Sequence, residues 1–295
     1  MENTPFNFVT ILGFGDLGRR VAALWRAQGL AVSGLARSDN KQQEMKNQGL
    51  VPVQADLDTP LPDLEMNLDA GLVYWFIPPP PTGMVDTRVK HLLEFLDRHQ
   101  PPQRIVAIST SGVYGDQQGR LVDETTPPNP QADRAHRRLN METKLNDWGE
   151  QHQVPVIILR VGGIYGPGKL PLQRIKDGVP ILKEELAPKT NRIHIDDLAQ
   201  VCVAAATKPQ ASRIYNVSDG QEANMTEYFL TLADFYNLPR PPQVDWPEAE
   251  TSISAGMLSY LRESRRLDTR RMQNELAVKL KYPTLVEGLA AIESE

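Results

Sequence analysis

The stretch FNFVTILGFGDLGRRVAALW, Phe6 to Trp25, joins an apolar run to a glycine-rich turn and then to a helical pattern. Phe8, Val9, Ile11 and Leu12 read as a short buried strand, and Val21, Ala22, Leu24 and Trp25 recur at helical spacing. Gly13, Gly15 and Gly18 lie between them. In a strand–turn–helix setting the first glycine permits a tight turn, the second lets the backbone approach phosphate oxygens, and the third lets helix pack closely on strand. Unpaired N–H groups at the positive end of the helix dipole then face those oxygens. The order of these parts is what a dinucleotide pyrophosphate needs.

Outward from this unit, strand and helix patterns alternate to about residue 160. Leu30 to Ala36 forms a second strand, and Asp39 can cap a helix that ends at Gly49. Val51 to Ala55 is a third strand, and LVYWFI at 72–77 a fourth, closed by Pro78 to Pro81, which offer no backbone donors. The stripe Val89, Leu92, Leu93 and Leu96 makes Val85 to His99 helical. Arg104 to Ile108 and Val154 to Arg160 are the fifth and sixth strands, with a helix from about Arg134 to Gln151 between them. Beyond Gly166 the pattern loosens, leaving a helix near Asp196 to Thr207 and a strand near Arg213 to Val217. The alternation predicts an α/β fold, a doubly wound parallel sheet with helices on both faces.

A chain of 295 residues is long enough for a substantial core. Its net charge of −5, with mixed signs, leaves no footprint for nucleic acid or an anionic membrane. The single cysteine, Cys202, sits in the helical run DLAQVCVAAAT and reads as a small buried apolar residue. No segment approaches the roughly 20 apolar residues of a membrane span, and MENTPFNF lacks a basic leader pattern, so a cytoplasmic setting is expected. No His/Cys/Asp cluster has metal-ligand spacing, and no metal is expected.

The end of the second strand selects the dinucleotide, because an acidic residue there would bond the free ribose hydroxyls of NAD. That stretch reads VSGLARSDN: Leu35 and Ala36 occupy the acid positions, and Arg37 and Ser38 follow. A guanidinium stays charged and bonds phosphate oxygens in two places, so a 2′-phosphate, and hence NADP over NAD, is favoured. Asp56 and Leu57, after the third strand, stand where an adenine ring would be contacted.

GFGDLG, Asp56-Leu57, STSGVYGD at 109–116, LRVGGIYGPG at 159–168, RIHIDDLA at 192–199, YNVSDG at 215–220 and ESRRLDTRRMQNELAVKLKYPTLVEGL at 263–289 together resemble the extended short-chain dehydrogenase/reductase family. Its members include nucleotide-sugar epimerases and dehydratases. The resemblance covers nearly the whole chain. It implies a Rossmann domain over 1–165, to which 196–217 returns, and a smaller α/β substrate domain from 166–195 and 218–295. Phe14, Asp16 and Leu17 of the glycine loop, Ile77 and Gly163 complete the implied cofactor set, and Gly162 to Gly168 would line the nicotinamide end and substrate mouth. Thr110 stands at the catalytic Ser/Thr, four residues before Tyr114. A monomer or a homodimer is implied.

One departure matters more than the match. The family carries Tyr-x-x-x-Lys on the helix after VYG, with a glutamate four residues beyond the lysine. Here the segment is NPQADRAHRRLNME; counting back from Glu142 places Arg138 at the lysine and Arg134 at the tyrosine. A phenol of pKa about 10 can be lowered to exchange a proton near neutrality, whereas arginine, above roughly 12, cannot. Tyr114 and Tyr165, at strand ends facing the expected cleft, are the replacement candidates, while His136 lies about 200 degrees round the helix from Arg134. Arg134 and Arg138, four apart and on one helix face, with Arg137 beside them, suit an anionic group of substrate or cofactor. His194, before Asp196 and Asp197, reads as the start of a helix whose N–H groups the carboxylates cap. Two functions follow: an NADP-dependent reductase or epimerase/dehydratase-like enzyme acting on a small molecule, anionic where the arginines meet it, or an NADP(H)-binding regulator or redox sensor without turnover.

Overall fold

The computed structural model describes residues 5–294 apart from 65, 67, 69, 70 and 210. Seven parallel strands form one sheet: β1 (Phe8–Leu12), β2 (Ala31–Ala36), β3 (Val51–Gln54), β4 (Gly71–Trp75), β5 (Arg104–Thr110), β6 (Val156–Val161) and β7 (Arg213–Val217). Their order is β7-β6-β5-β4-β1-β2-β3. Phe8 pairs with Ala31 on one side and with Gly71 on the other. The chain therefore reverses its direction of winding between β1 and β4, and a crevice opens at their carboxyl ends.

Both sheet faces are covered, so alternate side chains of a strand enter different cores. Val9, Ile11, Leu72 and Tyr74 pack with α1 (Asp16–Ala27), while Leu12, Val73 and Trp75 pack with α3 (Thr87–Leu96) and α4 (Asp133–His152). The helix α5 (Ile195–Thr207) lies on the α1 face, with Cys202 buried in it. Burial pushes the Cys202 thiol well above its ordinary pKa. On α1, Trp25 donates its indole N–H to Tyr74 Oη at 2.9 Å, tying helix to sheet.

Some boundaries differ from the sequence expectations, for reasons of capping. α2 (Asp39–Asn47) is capped by Ser38, whose Oγ accepts from Lys41 N, so Asp39 is a first-turn residue rather than the cap. α3 begins at Thr87, not Val85, because the buried Asp86 carboxylate accepts from Arg88 N and Val89 N.

Beyond β6 the chain builds two smaller cores. Ile175, Ile181, Tyr228, Phe229, Leu232 and Leu289 form one; Leu182, Val244, Ala249, Ile253, Leu258 and Leu261 form the other. The two-residue strand Arg266–Leu267 returns to pair with Leu121–Val122, and Met272 and Leu276 bury themselves in the sheet's own core. Residues 266–276, placed by sequence with the smaller unit, thus pack back on the sheet. Among the described residues no helix is long and apolar enough to cross a membrane, and no group of three His, Cys, Asp or Glu is placed to hold a metal.

Candidate functional site

Two adjoining cavities lie at the crevice. The first, about 640 Å³, is lined by Gly13 to Gly18 and by the ends of β2, β3 and β4. Gly13 has φ +106°, and a Cβ there would fall 2.6 Å from the Phe76 carbonyl carbon, so only glycine fits. A Cβ on Gly18 would meet Gly13 O at 2.7 Å, whereas one on Gly15 meets nothing within 4 Å. The turn is therefore closed behind Gly13 and Gly18 and open at Gly15, which leaves room for a phosphate at the N-terminus of α1. The chain's residues fit a dinucleotide.

An acid at the first position of α1 would repel phosphate, and the structure compensates for it. Asp16 pairs with Arg20 at 3.1 Å and with Lys169 Nζ at 3.0 Å. Burial pushes its carboxyl up, but the Lys169 and Arg20 contacts outweigh this and hold it below its ordinary value. Lys169 itself lines the cavity, as do Lys41 and Arg88. None of these three is apparent from the glycine motif; Lys169 directly follows the YGPG stretch, which was the available signal.

At the cavity's other end Leu35 and Ala36 are buried, and the first exposed residues are Arg37 and Ser38. Arg37, with 69 % of its side chain exposed, lies 3.7 Å from Asp58, which Arg88 Nε holds at 2.6 Å. Asp56 Oδ1 accepts from Asp58 N at 3.0 Å, shaping the loop, and Leu57 and Ile77 also line the wall. Of the sequence-derived cofactor residues only Gly163 lies elsewhere, in the second cavity.

The second cavity, about 490 Å³, shares Arg138 and Ile164 with the first and is lined by Thr110, Ser111, Arg134, Gly162 and Gly163. Its arginines are positioned through Glu142, one turn further along α4. Buried Glu142 accepts from Arg160 Nε at 3.2 Å and Nη2 at 2.7 Å, and from Ser109 Oγ, locking α4 against β5 and β6. Arg134 donates to Ser259 Oγ at 2.9 Å with its guanidinium 3.7 Å from the centroid of the Tyr260 ring. Arg138 donates to Ile77 O at 3.0 Å. Burial pushes Arg138 down to about 10, with Asp86 and Glu142 opposing, so it stays charged at neutral pH. Arg137 turns away from the cavities and donates to Gly83 O. Thr110 Oγ1 accepts from Gly112 N at 3.1 Å, leaving its hydroxyl hydrogen to donate.

The expectation that Tyr114 and Tyr165 face the cleft is corrected: neither lines either cavity. Both are buried, and burial raises both phenols. Tyr114 ends a tight turn, Ser111–Tyr114, that carries its ring inward beneath Arg160, and its hydroxyl donates to Asn216 Oδ1 at 2.8 Å. Tyr165 donates to Thr284 O at 3.3 Å and packs edge-on against His194. The phenol that does line the second cavity is Tyr260, which sequence reading passed over, along with Arg192, Glu263 and Arg265. The α5 start differs too. His194 is its cap, accepting from Asp196 N at 3.3 Å, while Asp196 pairs with Arg20 and Asp197 accepts from Lys281 N and Tyr282 N.

Residues 82–218 match the sequence model of the NAD dependent epimerase/dehydratase family. Protein YeeZ of Escherichia coli K12 is 28% identical over 286 residues, which span 93% of this chain and 96% of YeeZ. A functionally unknown conserved protein from Silicibacter pomeroyi superposes with TM-score 0.83 at 28% identity, covering 98% of both chains. UDP-glucuronic acid 4-epimerase from Bacillus cereus, solved with UDP-glucuronic acid and NAD, superposes with TM-score 0.75 at 18% identity, covering 97% of this chain and 98% of its own. With the sheet order and the glycine turn, these matches show that the chain has the Rossmann-like fold of the epimerase/dehydratase structures and that its segment 82–218 is similar to the NAD dependent epimerase/dehydratase family.

Proposed function

We propose that the protein is an NADP(H)-dependent oxidoreductase or epimerase/dehydratase-like enzyme whose proton-transfer site departs from the family's Tyr-x-x-x-Lys pair. The observation that carries this reading is the adjacency of the two cavities, which share Arg138 and Ile164 in their walls, with Thr110 in the second. Gly13 to Gly18 with α1 would hold the pyrophosphate, Ile77 would lie beside the nicotinamide, and Asp56 and Leu57 would meet the adenine. Arg37 and Ser38 would take a 2′-phosphate, supported by the absence of any carboxylate at Leu35 and Ala36. A bound nicotinamide supplies a hydride donor or acceptor at its C4. Gly163 and Ile164 lie at that end of the second cavity, and the Thr110 hydroxyl hydrogen-bonds a substrate oxygen there. Arg134 and Arg138, at the tyrosine and lysine positions, clamp an anionic group of the substrate.

A second reading, cofactor binding without turnover, is favoured by one observation: Tyr114 and Tyr165 spend their hydroxyls on Asn216 and Thr284. Titration with NADPH and NADH, followed by addition of UDP-glucose or simple carbonyl compounds, separates the two. The enzyme reading expects tighter NADPH than NADH binding and nicotinamide oxidation with at least one acceptor. Tight NADPH binding with neither oxidation nor stereospecific hydrogen exchange selects the regulator. Failure to bind either nucleotide ends both.

A further inference from the structure

Arg192 stands in the wall between the second cavity and a neighbouring one of about 340 Å³ that also contains Asp219. Its guanidinium lies 3.3 Å from the Tyr228 ring centroid, and its Nη2 finds only the Met225 thioether, also at 3.3 Å. Its Nε is buried with no hydrogen-bond partner. Gly163 makes room for it, since a Cβ there would crowd Nη1 at 3.2 Å. Among the described residues no carboxylate comes within 4.0 Å of this guanidinium. Desolvation disfavours its charge, and Tyr228 and Asp219 restore only part of it.

Arg265, in the same cavity, also has a buried Nε without a hydrogen-bond partner, but it differs in having a carboxylate: it donates to Gly115 O at 2.7 Å and pairs with Glu263 at 3.0 Å. A sulfur atom and a ring face are poor substitutes for a carboxylate, and an unpaired buried cation costs several kcal/mol. Arg138, at the side shared with the cofactor cavity, is in the same position, bonded only to a backbone oxygen. Among the described residues, Arg138 beside Arg134 on the side shared with the first cavity, and Arg192 on the side shared with the neighbouring one, thus line one cavity without carboxylate partners in a chain of net charge −5.

We propose that the second cavity takes a small molecule with two separate anionic groups, carboxylate or phosphate, one met by Arg138 with Arg134 and the other by Arg192. This rests on reading that cavity as the substrate site. Each added anion supplies acceptors in the planar, two-point geometry that a guanidinium is built to meet.

The test is calorimetric titration, with and without NADP+, using 2-oxoglutarate against 2-oxobutyrate and 3-phosphoglycerate against glycerate. In each pair only the first member has the second anion. At least one pair is expected to show a tenfold or larger preference for its doubly anionic member, and the stronger pair identifies carboxylate or phosphate. Arg192→Met should erase the preference and Arg192→Lys retain part of it, with NADP+ affinity unchanged in both. Absence of a preference in both pairs, absence of binding, or a preference that survives Arg192→Met overturns the proposal. If Arg192→Met does not fold, a full preference in Arg192→Lys does the same. Loss of NADP+ binding in the unsubstituted protein strikes the cofactor reading alone, because the anion titrations stand without it.

Discussion

The first cavity is centred on one contiguous turn, Gly13 to Gly18, with the ends of β2, β3 and β4 around it, whereas the second has no such turn and draws Thr110, Arg134, Gly162, Arg192 and Arg265 from separate segments. In the first, backbone conformation makes the site: a positive φ at Gly13, an open face at Gly15, a helix start at Asp16. In the second, charged side chains make it, and their positions depend on buried ion pairs beneath them. The two should therefore break differently. A backbone-built site fails when a Cβ is added, and a side-chain-built site fails when its support is removed.

The largest effect is expected at the support of the second cavity. Glu142→Ala leaves Arg160 buried without its partner and should cost about 3–5 kcal/mol in chemical denaturation. A loss below about 1 kcal/mol would mean that this pair does not anchor α4. Next, Gly13→Ala combines a strained φ with a clash against Phe76, for roughly 2–4 kcal/mol, and should abolish NADPH binding. Retained NADPH affinity in a folded Gly13→Ala protein would detach the turn from the cofactor.

Asp219 sharpens the contrast on the far side of Arg192. Burial pushes its carboxyl up to about 6 from 3.8, so the folded state binds the proton more tightly than the unfolded chain. Its contribution to stability is full below pH 3.8 and is lost as pH rises through about 6. Relative to Asp219→Asn, the unsubstituted protein should lose about 2 kcal/mol between pH 4 and pH 7. Parallel stability profiles would show that Asp219 titrates normally. The smallest effect belongs to Arg37→Ala, expected to weaken NADPH about tenfold, roughly 1.4 kcal/mol, while leaving NADH unchanged. An equal loss for both nucleotides would remove Arg37 from the 2′-phosphate.

The sheet strands were legible because most are runs of apolar residues buried on both faces, as in β1, β4 and β6, a pattern that survives without knowledge of partners; the edge strand β3 is short and largely uncovered. Apart from β7, the strands beyond Gly166, such as Ile181–Leu182 and Arg266–Leu267, are two or three residues long and carry no period. The burial of Tyr114 was not legible because the turn Ser111–Tyr114, which carries its ring inward, leaves no period in the sequence.

By itself the sequence determined the α/β class, the glycine turn and the shared helix face of Arg134 and Arg138, since each depends on spacing within one local segment. Tertiary structure decided that Tyr114 and Tyr165 are buried, that Lys169 answers Asp16, and that, among the described residues, Arg192 meets no carboxylate while Arg265 does. Those outcomes depend on residues brought together from distant parts of the chain, and the energetic weight of a charge is set by the neighbours it finds and the water it loses.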